Sequence, residues 1–425
     1  MTEPTAADHI VEFRRELHRY PEPAWREFYT TSRIVDECER IGVDSLHVGR
    51  HALVSEHRTG VPEAEELERW HQRAREAGAR EDVLEATAGG HTGVVAELHR
   101  GDGPTIALRV DIDALPQAEA DDEGHQPARE GFRSENEGAM HACGHDGHAS
   151  IGIGVLEAIA ESDFDGTLKV FFQPAEELIG GGEAMAKSGH LDDVDALLAL
   201  HLGLDHPTGE VVAGVDGFLA VKHLEATFSG ESAHAGGHPE EGRNAILALA
   251  TATQNLYAIP RHDDGPSRVN VGQIAGGTAS NIVAAEAHLV GEVRGETTEL
   301  KDYMFEHASR IVENAAGMHD CEVSFAPGGE APSATSDDDL RDLVAEVAGE
   351  TDVIESILDR DELGGSEDAT YLMQEVQDSG GVASYVAVGT DHPGGHHTAY
   401  FDLDERSLVI GVDLIAETVR RFERN

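Results

Sequence analysis

The sequence predicts an α/β protein with a mixed sheet, into which a ferredoxin-like α+β domain is inserted. Three observations point that way. At 425 residues the chain exceeds what one ordinary hydrophobic core accommodates, so two domains are expected. Short apolar runs alternate with helix-period segments between residues 92 and 200, the pattern of sheet strands covered by helices. From about residue 217 the order becomes strand, helix, strand, strand, helix, strand, that of a ferredoxin-like sandwich. Residues with metal-binding chemistry stand on both sides of this unit, which makes it an insertion. Residues 1–216 and 331–425 then form the first domain and residues 217–330 the second.

Taken in order, Ile10, Phe13 and Leu17, then Ile34, Val35, Cys38 and Ile41, recur at helical spacing. Pro21 and Pro23 divide them into two helices. Residues 61–88, rich in Glu, Arg and Ala, predict an exposed helical insertion closed by Gly89-Gly90. Residues 92–98 and 105–110 read as strands, and the second runs into Asp111-Ile112-Asp113, two acids on the same side of a buried strand's C-terminal end. A helix at 151–161, a strand at 166–172 and a strand at 196–200 follow. In the inserted domain, strands are expected at 219–228, 268–274, 284–293 and 322–325, with helices at 244–259 and 299–316. A helix near 339–348, a second after Gly365-Ser366-Glu367-Asp368, a strand at 384–388 and an amphipathic helix within 402–422 return to the first domain.

The chemistry concentrates in residues 140–148, Met-His-Ala-Cys-Gly-His-Asp-Gly-His. Cys143 and His145, separated by one glycine, can swing toward one ion from an extended or turning segment. A thiolate with an imidazole suits a borderline divalent metal. Asp146 and His148 are either further ligands or partners that orient them, and Asp113 is placed to orient a ligand histidine. After the strand at 166–172 comes Gln173-Pro174-Ala175-Glu176-Glu177. Adjacent glutamates point in different directions, so one can bind metal while the other faces a substrate water. His201 is the third strand-end residue of this kind. In the inserted domain, the Ser232–His238 and Gly276–Asn281 segments and Arg294 are its polar features.

Composition narrows the function classes. There are 82 acidic against 31 basic residues, a formal net charge of -51, which excludes binding to polyanionic nucleic acid by charge. The lysines are Lys169, Lys187, Lys222 and Lys301 alone, and the acids are spread along the chain. This is the composition of a salt-adapted, halophilic surface, on which high salt screens the self-repulsion. The first twenty residues hold no apolar run fit for a signal peptide and no stretch reaches the length of a membrane span, so a cytoplasmic protein is expected. Cys38, Cys143 and Cys321 are too few and too separated for a disulfide framework.

These blocks, in this order, resemble peptidase family M20. They are Leu108–Asp113, the 140–148 block, Gln173–Glu177, His201, the His234 block and His397 before Thr-Ala-Tyr-Phe. Within that family they resemble the aminoacylase-like amidohydrolases. The 61–90 insertion, Ser267–Gly272, Gly365–Thr370 and Gly395-His396-His397 resemble the p-aminobenzoyl-glutamate hydrolases. The resemblance implies a zinc-peptidase-like catalytic domain with an inserted lid or dimerisation domain. It also implies two divalent ions per protomer, Mn2+ or Zn2+, bridged by Cys143. Glu177 and His397 would complete one site, His145 and His201 the other, and Asp111 stands where the wider family has a histidine. His396 leaves the choice of His397 open to test. Glu176 would be the general base, His234 would meet the developing oxyanion, and Asn281 and Arg294 would contact the substrate carboxylate. A surface ion pair is the alternative for Arg294.

The expected function is hydrolysis of an N-acyl or N-aroyl amino acid by a homodimer or by a hetero-oligomer with a homologous chain. A dipeptidase or carboxypeptidase is the alternative, as is a chain active only with its partner. Closure of the inserted domain would hinge near Gly214–Gly217 and Pro327–Pro332. The charge reading carries its own test. Dialysis from molar salt into dilute buffer should abolish the far-ultraviolet circular dichroism of the folded chain, and an unchanged spectrum would contradict it.

Overall fold

The computed structural model describes residues 6–423 and divides into two compact units. One comprises Met1–Gly217, Ala334–Leu363 and Asp368–Asn425, the other Phe218–Ser333 and Gly364–Glu367.

The first unit is built on an eight-stranded mixed sheet. Its spatial order is Ser45–Val48, Val94–His99, Thr167–Gln173, Thr105–Asp111, Ala196–Leu202, Val382–Val388, Glu210–Val212 and Ser356–Leu358. The four central strands, from Thr167–Gln173 to Val382–Val388, are mutually parallel. Their residues are buried almost without interruption, which explains why they read as continuous apolar runs instead of alternating ones. Parallel alignment brings the carboxyl ends Gln173, Asp111, Leu202 and Val388 out on one edge of the sheet. That edge is where open α/β sheets place their sites.

The helix His145–Ala160 packs on strand Thr105–Asp111 and against the helices Ala6–Arg19, Phe28–Ile41 and Arg406–Arg421. Neighbours on every side explain why nearly all of it is buried. Its glycines set the spacing. A Cβ on Gly154 would lie 2.5 Å from a Val412 methyl. The helix begins at His145, six residues before the start at 151 that the apolar period suggested. Gly144 precedes it with φ of 86°, and its first turn is polar because it faces the site, so no stripe marked it. His201 lies one residue inside its strand, which runs to Leu202. The insertion at 61–88 forms two helices, Ala64–Ala77 and Glu81–Thr87, broken where Gly78 adopts φ of 104°. The four-residue edge strand Ser45–Val48 was too short to show a pattern.

The second unit is an antiparallel sheet in the order Glu322–Ala326, Ala220–Ser229, Glu286–Gly295, Ser267–Gly276, extended by the two-residue strand Glu330–Ala331. Helices Ala245–Leu256 and Thr298–Met318 bury Leu249, Leu256, Met304 and Val312 with Leu224, Phe228 and Leu289 of the sheet. Each helix is capped by a side chain. Asn244 accepts from Ile246 N–H and Leu247 N–H, and Thr297 accepts from Leu300 N–H.

A buried charge network ties the first helix to the site block. Arg14 Nε and His18 Nδ1 each lie 2.8 Å from Asp146 Oδ2. His18 Nε2 donates to Glu119 at 2.9 Å and Arg14 Nη2 to Asp402 at 2.6 Å. Burial and the Arg14 charge pull the His18 pKa down, but the bonds to Asp146 and Glu119 outweigh them and raise it to about 9. Burial raises Glu119, yet His125 and His18 bring it down to about 2. The His18 contribution to stability is therefore complete below its ordinary value of 6.5 and lost as pH rises through about 9. The Glu119 contribution is complete above 4.5 and lost as pH falls through about 2. Thermal midpoints across pH should decline on both arms, and His18→Gln should remove the alkaline decline. Arg14→Met should cost about 3–5 kcal/mol, because it leaves Asp402 buried without its cation and Asp146 with His18 alone.

Candidate metal centre

The sheet edge is held by a chain of buried bonds that begins at Arg109, a cation inside an otherwise apolar strand. Its guanidinium donates to Asp111 at 2.9 Å, to Gln173 at 2.9 Å and to Asp368 at 3.3 Å. Gln173 Nε2 also donates to Asp368 Oδ1 at 2.6 Å, and Asp368 Oδ2 accepts from Gly181 N–H and Gly182 N–H. Asp111 Oδ1 accepts from His148 Nδ1 at 2.5 Å, and His148 Nε2 accepts from Leu202 N–H at 2.8 Å. Both His148 nitrogens are thus engaged, so this residue braces the site and has no lone pair for a metal. Asp146, turned toward Arg14 and His18, is not a ligand either.

The same peptide orients the next histidine. Leu202 C=O accepts from His201 Nδ1 at 2.7 Å, which fixes the tautomer and leaves the Nε2 lone pair facing Cys143 Sγ at 3.6 Å. His145 is buried, and neither ring nitrogen makes a hydrogen bond among the described residues. Nδ1 lies 3.4 Å from Asp113 and 3.6 Å from Asp111, and Nε2 lies 3.9 Å from both Glu176 and Glu177.

Asp113 does a second job. Its two oxygens accept from Glu176 N–H at 3.0 Å and Glu177 N–H at 3.1 Å, so one carboxylate holds the backbone of both glutamates. The turn they occupy is strained, with φ of 58° at Ala175 and 52° at Ile179, each costing on the order of 1 kcal/mol. Glu27, which sequence reasoning missed, helps to hold it by accepting from Ala175 N–H at 2.9 Å and from Thr92 Oγ1 at 2.6 Å. Burial, with the Asp113 charge nearby, pushes its carboxyl up to about 8. An acid within the apolar and aromatic Ala24–Tyr29 stretch was the available signal, as was Arg109 within its strand.

The ligand atoms of Cys143, His145 and His201 lie within 4.8 Å of one another, as do those of Cys143, Glu177 and His397, and those of His145, Glu176 and Glu177. Cys143 belongs to the first two groups. His397 reaches Glu177 with Nε2 at 3.5 Å, while its N–H donates to Ala142 C=O. His396 instead directs Nε2 to Leu202 C=O at 3.3 Å, and burial with the His392 charge lowers it to about 4. His397 shares a group with Cys143, whereas the His396 ring is turned to the Leu202 carbonyl.

The electrostatics call for a cation here. Burial pushes the Cys143 thiol up to about 12, with Glu177 and Asp111 adding to it against His145. Burial pulls His145 down, but Asp111, Asp113 and Cys143 hold it well above the usual histidine range. Burial, then His148, keeps His201 well below that range and neutral. A cage of sulfur, imidazole and carboxylate donors, buried at Cys143, His145 and His201 and open at His397, with an imidazole lacking hydrogen bonds at its middle, fits borderline divalent metal ions. The remaining predicted residues lie in the second unit. His234 sits in an exposed loop bridged to Ile282, and Ala235 N–H donates to Asn281 C=O. Arg294 is paired with Glu292 at 2.8 Å and donates to Ser366 at 3.2 Å.

Residues 107–421 match the family described as peptidase family M20/M25/M40. The chain is 43% identical over 417 residues to the indole-3-acetyl-aspartic acid hydrolase of Enterobacter agglomerans, spanning 97% of this chain and 95% of that protein. It is 42% identical over 423 residues to one of the p-aminobenzoyl-glutamate hydrolase subunits of Escherichia coli, spanning 98% and 96%. Among solved structures, a Bacillus subtilis dinuclear metal binding peptidase from the M20 family superposes with a TM-score of 0.68 and 25% identity over 97% of both chains.

The geometry sets an order of effects on metal affinity, measurable by competitive chelator titration. Cys143→Ser should remove the most, Asp113→Ala should weaken binding by about 10–100-fold through its loss of orientation, and His396→Ala should leave it unchanged.

Proposed function

The chain belongs to peptidase family M20/M25/M40, and from that premise we propose a dinuclear-metal-dependent amidohydrolase that cleaves N-acyl or N-aroyl amino acids. The observation that carries this reading is Cys143 shared between two ligand groups at the carboxyl ends of parallel strands, with Glu176 alongside. Cys143, His145 and His201 would hold one ion, and Cys143, Glu177 and His397 the other. Divalent ions there would polarise the scissile carbonyl and acidify water.

The chain's own groups do the rest. Glu176, its backbone fixed by Asp113, takes the proton from the attacking water and returns it to the leaving nitrogen. No covalent intermediate is needed. His234 Nδ1 accepts from Gly236 N–H and Gly237 N–H, so a neutral ring carries its hydrogen on Nε2, the form that donates to an oxyanion. Arg261, Arg268 and Arg294 line a cavity of about 530 Å³ in the second unit, together with Glu292 and Asn270. In so acidic a chain, three guanidinium groups around one cavity favour an anionic substrate, and Asn281 and Arg294 are the groups assigned to its carboxylate. The two relatives are named for hydrolysis of an aspartate and a glutamate conjugate, which supports an acidic amino acid as leaving group and p-aminobenzoyl-glutamate as first substrate to assay. Cys and His favour Zn2+, and the carboxylates also admit Mn2+. We assign the active form to a homodimer or to an assembly with a homologous chain. Among the described residues no helix is long and apolar enough to cross a membrane, and we take the enzyme to work in the cytoplasm.

In molar salt with Mn2+ or Zn2+, the chain should hydrolyse p-aminobenzoyl-glutamate and indole-acetyl-aspartate faster than conjugates of neutral amino acids. Glu176→Gln should lower kcat by about 10²–10⁴-fold with metal content intact. A folded, metal-loaded chain whose turnover survives that substitution would overturn the assignment of the base.

A further inference from the structure

Away from the Cys143 centre, at the opposite margin of the same sheet, the first unit brings together a second set of ligand-type side chains. His47 lies on the edge strand Ser45–Val48 and Glu97 on its neighbour Val94–His99. Ser45 is directly opposite Glu97 and His47 is opposite Val95, so His47 and Glu97 are diagonal neighbours on one face. His190 arrives from the segment after helix Gly182–Ala186, and Lys169 Nζ fixes its backbone by donating to His190 C=O at 2.9 Å.

The tautomers make this cluster more than a histidine stack. His190 Nε2 donates to His51 C=O at 2.8 Å, and because a carbonyl only accepts, the hydrogen is on Nε2 and a neutral ring keeps its lone pair on Nδ1. That lone pair faces Glu97 Oε1 at 3.7 Å, an acceptor against an acceptor. His47 Nε2 approaches the same oxygen at 3.4 Å, and the two rings are 4.2 Å apart between centroids. All three ligand atoms lie within 4.8 Å of one another. Metal–ligand bonds of about 2.0–2.1 Å in a tetrahedral site put neighbouring ligand atoms about 3.3 Å apart, so the two approaches to Glu97 Oε1, at 3.4 and 3.7 Å, need only a few tenths of an ångström of closure. The side chains are partly exposed, 32% for His47, 23% for Glu97 and 17% for His190, which leaves an entry path. The His51 carbonyl is the outer partner that typically orients a metal-binding imidazole.

We propose that His47 Nε2, Glu97 Oε1 and His190 Nδ1 form a separate site for one borderline divalent transition ion of the Zn2+ class. Two imidazoles with a single carboxylate select Zn2+, Ni2+ or Cu2+ over the oxygen-seeking Mg2+ and Ca2+. Because the ligands come from three distant stretches of chain, the ion binds only when they are assembled and so staples the short edge strand to the sheet.

The test counts zinc on the chelator-stripped full chain after dialysis at micromolar free Zn2+. The unsubstituted chain should retain one ion more than His47→Ala/His190→Ala, and a Cys143→Ser/His201→Ala chain should still retain one. Equal counts for the unsubstituted chain and the His47/His190 variant overturn the proposal. Should that variant misfold by circular dichroism, zinc-edge anomalous diffraction on the unsubstituted chain decides. A peak between His47, Glu97 and His190 supports the site, and its absence overturns it whether or not the Cys143 centre fills.

Discussion

The Asp111 carboxylate, buried between Arg109, His148 and His145, is the interaction on which the site depends. An unpaired carboxylate at that depth would cost several kcal/mol, and the chain offsets this with a guanidinium bond, an imidazole bond and the field of a second imidazole. Each partner then constrains something else. Arg109 reaches Gln173 and Asp368 and so registers neighbouring strand ends. His148 takes the Leu202 N–H, and the carbonyl of the same residue fixes the tautomer of His201. His201 is therefore oriented by an acid three hydrogen bonds removed from it.

The excess of negative charge outside and the arrangement inside obey the same electrostatics. Exposed carboxylates cost little in salt water, whereas the buried Asp111, Asp113, Asp146 and Asp368 are matched by Arg, His or backbone N–H groups. Arg109 and Arg14 use the guanidinium fork to serve several buried acceptors at once. The Cys143 cage is where the matching falls short of cations. Its acids hold His145 charged in place of one, and a divalent ion replaces that need more completely.

Much of this was legible in the sequence. The motif blocks carried the family, which the matches over residues 107–421 and at 43% identity bear out. The strand-end positions of Asp111, Asp113, Glu176 and Glu177 followed from apolar runs stopping at acids. What the sequence hid was pairwise chemistry. Nothing in the spacing of His141, His145 and His148 says which ring keeps a lone pair, because that is decided by Asp111 and the Leu202 peptide, both far from that block along the chain. His396 and His397 are neighbours in sequence, and the backbone turns at His397 with a positive φ of 59°, which no spacing rule reveals. The polar first turn of the helix at His145 lacked an apolar stripe for the same reason that it serves the site.

X-ray absorption at the zinc edge of the zinc-loaded chain tests the shared-thiolate centre most directly. The account predicts a sulfur scatterer at about 2.3 Å beside nitrogen and oxygen at about 2.0–2.2 Å, with the sulfur lost in Cys143→Ser. A spectrum of nitrogen and oxygen scatterers alone, from a chain that retains its zinc and its fold, would contradict it.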